Sequence, residues 1–193
     1  ADAQLAEFLA ELERSGLDEN TLVVLVADHG ESFHDHGLWS HGTGLAQSQV
    51  HIPLVFWMPG TLPQQLNMTP VSLIDVAETI ANFAGIEPGR DYGGVSLAGL
   101  LSGKPLEPRP VFMECRRPKN HRIIAMVDGQ NKAIIDLKKG RQLLFDLAAD
   151  PKEAQPLALE RNQALLDQLT EASRAQTDRL LARKPADRPR SAL

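Results

Sequence analysis

Five of the chain's six histidines fall within 23 residues: His29, His34, His36, His41 and His51. Asp28 stands directly before the first of them and Gly30 directly after it. A carboxylate and an imidazole side by side at the end of a strand can share one divalent cation. An oxygen and nitrogen donor pair suits zinc or manganese, and suits calcium where the other ligands are oxygens. The competing reading is a turn capped by an aspartate, with solvated surface histidines around it. Residue types alone leave both open.

The elements around the cluster say where it sits. Thr21–Ala27 is apolar, valine-rich and without alternation, which is how a strand buried on both faces of a parallel sheet reads. Leu5, Phe8, Leu9 and Leu12 recur at helical spacing, so residues 2–14 read as an amphipathic helix with one face on the sheet, stopped at Gly16. Helix, turn and buried strand form half of a βαβ unit. Sites in such sheets form at the carboxyl ends of the strands, where Asp28 is placed. Residues 28–50 are then a long polar connection, of a length that is usually functional or disordered. A second buried strand is expected at Ile52–Met58, with Pro53 at its start, followed by a helix over 71–84 and a short one over 96–101.

After Lys104 the texture changes. Val111–Cys115, Arg122–Val127, Lys132–Asp136 and Gln142–Asp146 are short, β-prone and separated by turn residues, which predicts a small antiparallel sheet. Leu165, Leu169, Ala172 and Leu180 line a long helix near 158–182, and 184–193 reads as a flexible tail. Lys132 and Arg122 read as exposed cross-strand charges, with an anion-facing role as the alternative. The expected fold class is α/β: a partial sandwich with a mostly parallel central sheet flanked by helices, plus the small C-terminal antiparallel sheet with its long helix.

Composition removes several function classes. With 20 Lys and Arg against 25 Asp and Glu, the chain carries a formal charge of −5, which argues against a phosphate-tracking nucleic-acid binder. The single cysteine, Cys115, excludes an intrachain disulfide and a four-cysteine zinc site. No apolar run nears the roughly 18–20 residues of a membrane span. The chain opens without Met directly into a helical pattern, so it is expected to begin inside a longer protein.

The motifs themselves are familiar. Thr21-Leu-Val-Val-Leu-Val-Ala-Asp28-His29-Gly30-Glu31, His36-Gly37-Leu38-Trp39-Ser40-His41-Gly42, Val50-His51-Ile52-Pro53-Leu54-Val55 and Pro59-Gly60 resemble the C-terminal half of sulfatases, in the alkaline-phosphatase-like superfamily. Val71–Gly85, Tyr92-Gly-Gly-Val-Ser-Leu97 with Leu100-Leu101-Ser-Gly103, and Leu144-Phe145-Asp146-Leu147 with Asp150-Pro151-Lys152-Glu153 follow in the same order. The resemblance runs over about residues 1–160.

It implies a metal-dependent sulfuric ester hydrolase, with Asp28 and His29 as metal ligands. Calcium is the first expectation for that ion, and manganese or zinc the alternatives. His41 takes the place of the residue that contacts the transferred sulfate or phosphate, making it the catalytic and substrate-binding candidate. Glu31 and Trp39 are candidate pocket residues, while burial of Trp39 and Phe33 as loop anchors is the simpler role. His36 fits as a structural or pocket-edge residue; His34 and His51 take no catalytic role.

One departure bears on mechanism. The family's nucleophile, a formylglycine precursor or a plain Ser or Thr, lies near the start of the full fold, and this chain carries neither its motif nor the Asp-Asp metal motif. Residues 1–104 are therefore expected to be the C-terminal half of the catalytic domain and 105–183 a sheet-and-helix subdomain. The missing N-terminal half and an anionic sulfate- or phosphate-ester substrate are the implied partners. The alternatives are a phosphodiester or phosphonate hydrolase, or a phosphoethanolamine- or phosphoglycerol-type transferase, of the same superfamily, and a non-catalytic remnant or binding module. A periplasmic or extracellular-facing location follows by the same resemblance.

Overall fold

A computed structural model describes residues 2–86 and 93–182, with side chains described through residue 176. Tyr92 and the tail expected over 184–193 lie outside the described residues. In chain order the elements are helix α1 (Asp2–Ser15), strands β1 (Val23–Val26), β2 (Ser32–Phe33) and β3 (Trp39–Ser40), and the one-turn helix α2 (Gln47–Val50). Strand β4 (Leu54–Trp57) and helices α3 (Asp75–Phe83) and α4 (Ala98–Leu101) follow. Strands β5 (Val111–Arg117), β6 (His121–Asp128), β7 (Asn131–Asp136) and β8 (Arg141–Asp146) and helix α5 (Gln163–Ala182) complete the chain. These elements form two compact units, residues 1–30 with 51–108 and residues 31–50 with 109–193.

In the first unit β1 pairs with β4, Val23 opposite Trp57 and Val26 opposite Leu54. The pairing is antiparallel, whereas a mostly parallel sheet was expected. An apolar run specifies burial but not strand direction, which the connection and the neighbouring strands decide. Leu25 is 41% exposed, Val26 37% and Val55 47%, so the described residues leave uncovered a pair of strands whose composition suits burial on both faces. Helix α1 likewise has no fully buried residue, although its apolar positions repeat at helical spacing. It ends where Gly16 takes φ +68°, with the Gly16 N–H on the Glu13 carbonyl and the Leu17 N–H on the Leu12 carbonyl. That paired closure is the Schellman stop, which needs a left-handed residue and therefore favours glycine.

Asp75 organises the rest of this unit. Fully buried, its carboxylate accepts from the Ser72 N–H at 2.8 Å and the Val95 N–H at 3.0 Å. Thr79, one turn on, donates to the Asp75 carbonyl and accepts from the Leu97 N–H, so α3 holds the 93–97 loop by its polar side chains. Gly94 is required there, because a Cβ would stand 2.3 Å from the Ile74 carbonyl oxygen.

The second unit is an antiparallel meander, β5-β6-β7-β8, with every neighbour in sequence also a neighbour in the sheet. Met126, Ala133 and Leu144 share one rung, and Leu166 and Leu169 of α5 pack on it. On the other face Cys115, Ile123 and Ala125 meet Leu45, with Val50 against them. The sheet is therefore covered by α5 on one side and by the histidine-bearing segment 31–50 on the other. That two-sided cover accounts for the buried run Ile123–Val127 in β6, where an alternating pattern would mark a solvated face.

Lys132 is not an exposed cross-strand charge, and Arg122 is a cross-strand charge that is only partly exposed. Lys132 is wholly buried on the face that carries Ile134, and its ammonium lies 2.7 Å from a Glu153 carboxylate oxygen that is buried with it. Arg122 is partly buried and pairs with Glu114 at 2.8 Å. Burial raises the pKa of Glu114, but the Arg116 and Arg122 guanidiniums outweigh it and hold the carboxyl below its ordinary value.

Candidate metal-binding and substrate site

Asp28 and His29 leave the C-terminal end of β1. Asp28 Oδ1 accepts the His29 backbone N–H at 2.9 Å, which holds the carboxylate beside its neighbour. His29 Nδ1 lies 2.9 Å from the Gly30 carbonyl oxygen. In the neutral ring Nδ1 must donate that bond, which puts the lone pair on Nε2, and Nε2 stands 3.7 Å from Asp28 Oδ2. Two donors at ~2.0–2.5 Å from one cation can be up to roughly 4–5 Å apart, so the pair fits two ligands of a shared divalent ion. Among the described residues no group of three or more His, Cys, Asp and Glu side chains is placed to hold a metal. The described chain thus offers two donors of a set that needs at least four.

Glu31 and His41 belong to the second unit and form a pair, with His41 Nδ1 3.1 Å from Glu31 Oε2. The carboxylate turns the imidazole so that Nε2 is presented away from it. The other oxygen, Glu31 Oε1, is shut off from solvent and has no hydrogen-bond partner among the described residues. The intervening chain is strained. His34, His36 and Ser40 adopt φ of 72°, 54° and 69°, a left-handed region that side chains with a Cβ enter at a cost.

Trp39 and Phe33 do not anchor this loop by burial. They are 60% and 71% exposed and sit opposite each other in the two-residue hairpin of β2 and β3. Their rings meet edge to face at 6.1 Å, and the His34 ring lies 4.8 Å from Trp39. The hairpin packs the two rings on each other and leaves both largely exposed. His36 helps line a cavity of about 420 Å³ within the second unit, together with Leu38, Arg117, Arg141 and Phe145. His51 is exposed ahead of β4, in the first unit.

Two groups behind the loop were not foreseen from the sequence. Lys132 Nζ donates to Gln47 Oε1 at 3.0 Å, and Glu153 Oε2 accepts the Gln47 backbone N–H at 2.7 Å. The buried pair therefore ties α2 to the sheet across 85 and 106 residues of chain. Gln49, 3% exposed, is bonded to both flanks of the Glu31–His41 pair. A Lys inside a strand and a Gln in a polar loop carry no local signal of such roles. The one cue was spacing: Lys132 keeps the side-chain parity of Ile134, which faces the core.

The sulfatase family model matches residues 1–86. Choline-sulfatase of Rhizobium meliloti is 33% identical over 173 residues, spanning 88% of this chain and 33% of that protein. Arylsulfatase K of Mus musculus is 30% identical over 171 residues, spanning 82% of this chain and 31% of that protein. The solved phosphonate monoester hydrolase of Silicibacter pomeroyi superposes with a TM-score of 0.74 at 23% identity, over 93% of this chain and 38% of that one, a likeness of fold. The chain spans about a third of the length of the curated relatives it matches.

Proposed function

We propose that this chain, whose residues 1–86 match the sulfatase family model, supplies the C-terminal share of the active site of a metal-dependent sulfuric ester hydrolase. The observation that carries the reading is the Asp28 carboxylate and His29 imidazole side by side at the end of β1, with the ring's tautomer set by the Gly30 carbonyl. Asp28 and His29 would hold the divalent cation, calcium first among the candidates. When bound, the ion neutralises charge on the sulfate oxygens and stabilises the charge that develops on them. The nucleophile and the remaining ligands would come from the N-terminal part of the same fold. That part would also supply parallel neighbours to β1 and cover the apolar strand faces of the first unit, with residues 1–104 acting as the catalytic share and 105–183 as the accessory sheet and helix.

The chain's own work in the reaction falls to His41. Its Nδ1 is bonded to Glu31, so Nε2 is the atom offered to the transferred group. A charged ring would stabilise negative charge building on an equatorial oxygen, and its proton could pass to the leaving oxygen. Glu31 sets the ring's orientation, and the exposed Trp39 face is suited to an organic leaving group. The substrate is an anionic ester, and a periplasmic or extracellular setting follows from the family. Among the described residues no helix is long and apolar enough to cross a membrane.

The test uses the complete enzyme, with 4-nitrophenyl sulfate and 4-nitrophenyl phosphate as paired substrates and metal analysis of the same samples. Sulfate cleavage should exceed phosphate cleavage, and Asp28→Ala should lose stoichiometric metal and turnover together. Preferred cleavage of the phosphate would move the assignment to phosphoryl chemistry. Undiminished turnover in Asp28→Ala would remove the metal assignment.

A further inference from the structure

We propose that Gln49 is a positioning residue that fixes the Glu31–His41 pair, an inference that rests on the reading of His41 as the group facing the substrate. The side-chain amide of Gln49 is buried and uses both ends. Its Nε2 donates to Ser32 Oγ and to Thr43 Oγ1, each at 2.9 Å. Its Oε1 accepts from the Thr43 N–H at 3.4 Å and the Gly44 N–H at 3.3 Å. Ser32 directly follows Glu31, and Thr43 lies two residues beyond His41. One amide thus clasps the two chain segments that carry the carboxylate and the imidazole, and Ser48 Oγ at 2.9 Å from Ser32 Oγ closes the network.

The clasp is itself held from below. Gln47, two residues earlier on the same short helix, is bonded to Lys132 and Glu153, while the Cys115 thiol donates to the Gly42 carbonyl at 3.3 Å. Hydrogen bonds therefore run from the meander through α2 to both flanks of the pair. The pair itself is half-exposed, with side chains 51% and 38% accessible, and a carboxylate–imidazole contact that open to solvent holds little geometry by its own energy. The strained backbone at His34, His36 and Ser40 also needs an outside restraint to persist. A buried amide with four bonds to the loop is that restraint.

The experiment reads the His41 tautomer by imidazole ¹⁵N shifts in this chain, above the ring's titration, so it requires no catalysis. The Glu31 contact enforces the Nδ1–H form, whereas a free imidazole prefers Nε2–H. Ser32→Ala and Gln49→Met should each lower the Nδ1–H to Nε2–H ratio about fivefold to tenfold, the worth of a hydrogen bond. Gln49→Glu should keep it, since a carboxylate accepts from the same two N–H groups and from both hydroxyls. Where Gln49→Met loses the β5–β8 amide pattern, Ser32→Ala decides, because removing one hydroxyl leaves the sheet core untouched. An unchanged ratio in Ser32→Ala, or equal loss in the Glu and Met variants, overturns the proposal. A shifted ratio beside an enzyme that cleaves no sulfate ester would leave the clasp standing and remove only the functional reading.

Discussion

Replacing Lys132 by Met should be among the most damaging single changes in the second unit. The ammonium and the Glu153 carboxylate are 0% and 1% exposed and 2.7 Å apart. Burial depresses the Lys132 pKa, and the neighbouring carboxylate only partly restores it, so the pair is already held at a desolvation cost. Removing the lysine leaves a buried carboxylate whose other oxygen still accepts the Gln47 N–H but whose charge has no counterion. Breaking such a pair costs about 3–5 kcal/mol, whereas replacing both partners by apolar groups of similar volume is often neutral or stabilising. A cooperative unit of roughly 100 residues unfolds with an entropy near 0.2 kcal/mol/K, so the single variant should melt about 15–25 °C lower. Lys132→Met with Glu153→Met should recover most of that loss. The assay is thermal unfolding followed by far-ultraviolet circular dichroism, with urea titration as a check on cooperativity. A single variant melting within about 3 °C of the parent would refute the reasoning, as would a double variant no more stable than the single one.

Other consequences follow from the same structure. On the proposed reading, His41→Ala in the complete enzyme should lower kcat by about 10²–10³-fold with metal content retained, because the ring would act on charge formed in the transition state; loss of metal in that variant would contradict the proposed role. Burial raises the pKa of the Asp136 carboxyl, but the Lys139 N–H, the His121 ring and the Lys138 N–H outweigh it, and the folded value lies below the ordinary 3.8. The unfolded chain then takes up protons first as pH falls, so this stabilisation is present above the ordinary value and lost on the way down through the folded one. Melting temperatures measured from about pH 5 to about pH 2 should fall less steeply for Asp136→Asn than for the parent. Burial pushes the Cys115 thiol up and keeps it protonated, so it should resist a disulfide reagent at neutral pH until the sheet is unfolded. Gly94→Ala should destabilise the first unit by about 1–3 kcal/mol, measured by urea titration, because its Cβ would collide with backbone that cannot rotate away.

What could be read in advance depended on how local its cause was. The four strands of the meander lie within two residues of their expected bounds, because turn residues and short β-branched runs specify a hairpin between near neighbours. The stops at Gly16 and Gly85 are equally local, since a left-handed residue at a helix end selects glycine whatever surrounds it. Helix α5 begins at Gln163 rather than near 158, with a 3-10 turn over Leu159–Arg161 in between, a difference that periodicity cannot see.

By itself the sequence determined the succession of the elements outside residues 28–50, where β2, β3 and α2 read as a polar connection, together with the sulfatase-like motifs and the adjacency of Asp28 and His29, because neighbours along the chain are neighbours in space. Tertiary structure alone decided that β1 and β4 run antiparallel, that the histidine segment covers one face of the meander, and that Lys132 is buried against a carboxylate 21 residues away. It also decided that Glu31 meets His41 and that Gln49 grips both of their flanks. Pairing between distant polar groups costs chain entropy and desolvation that only a finished core repays, so no local pattern of residues announces it.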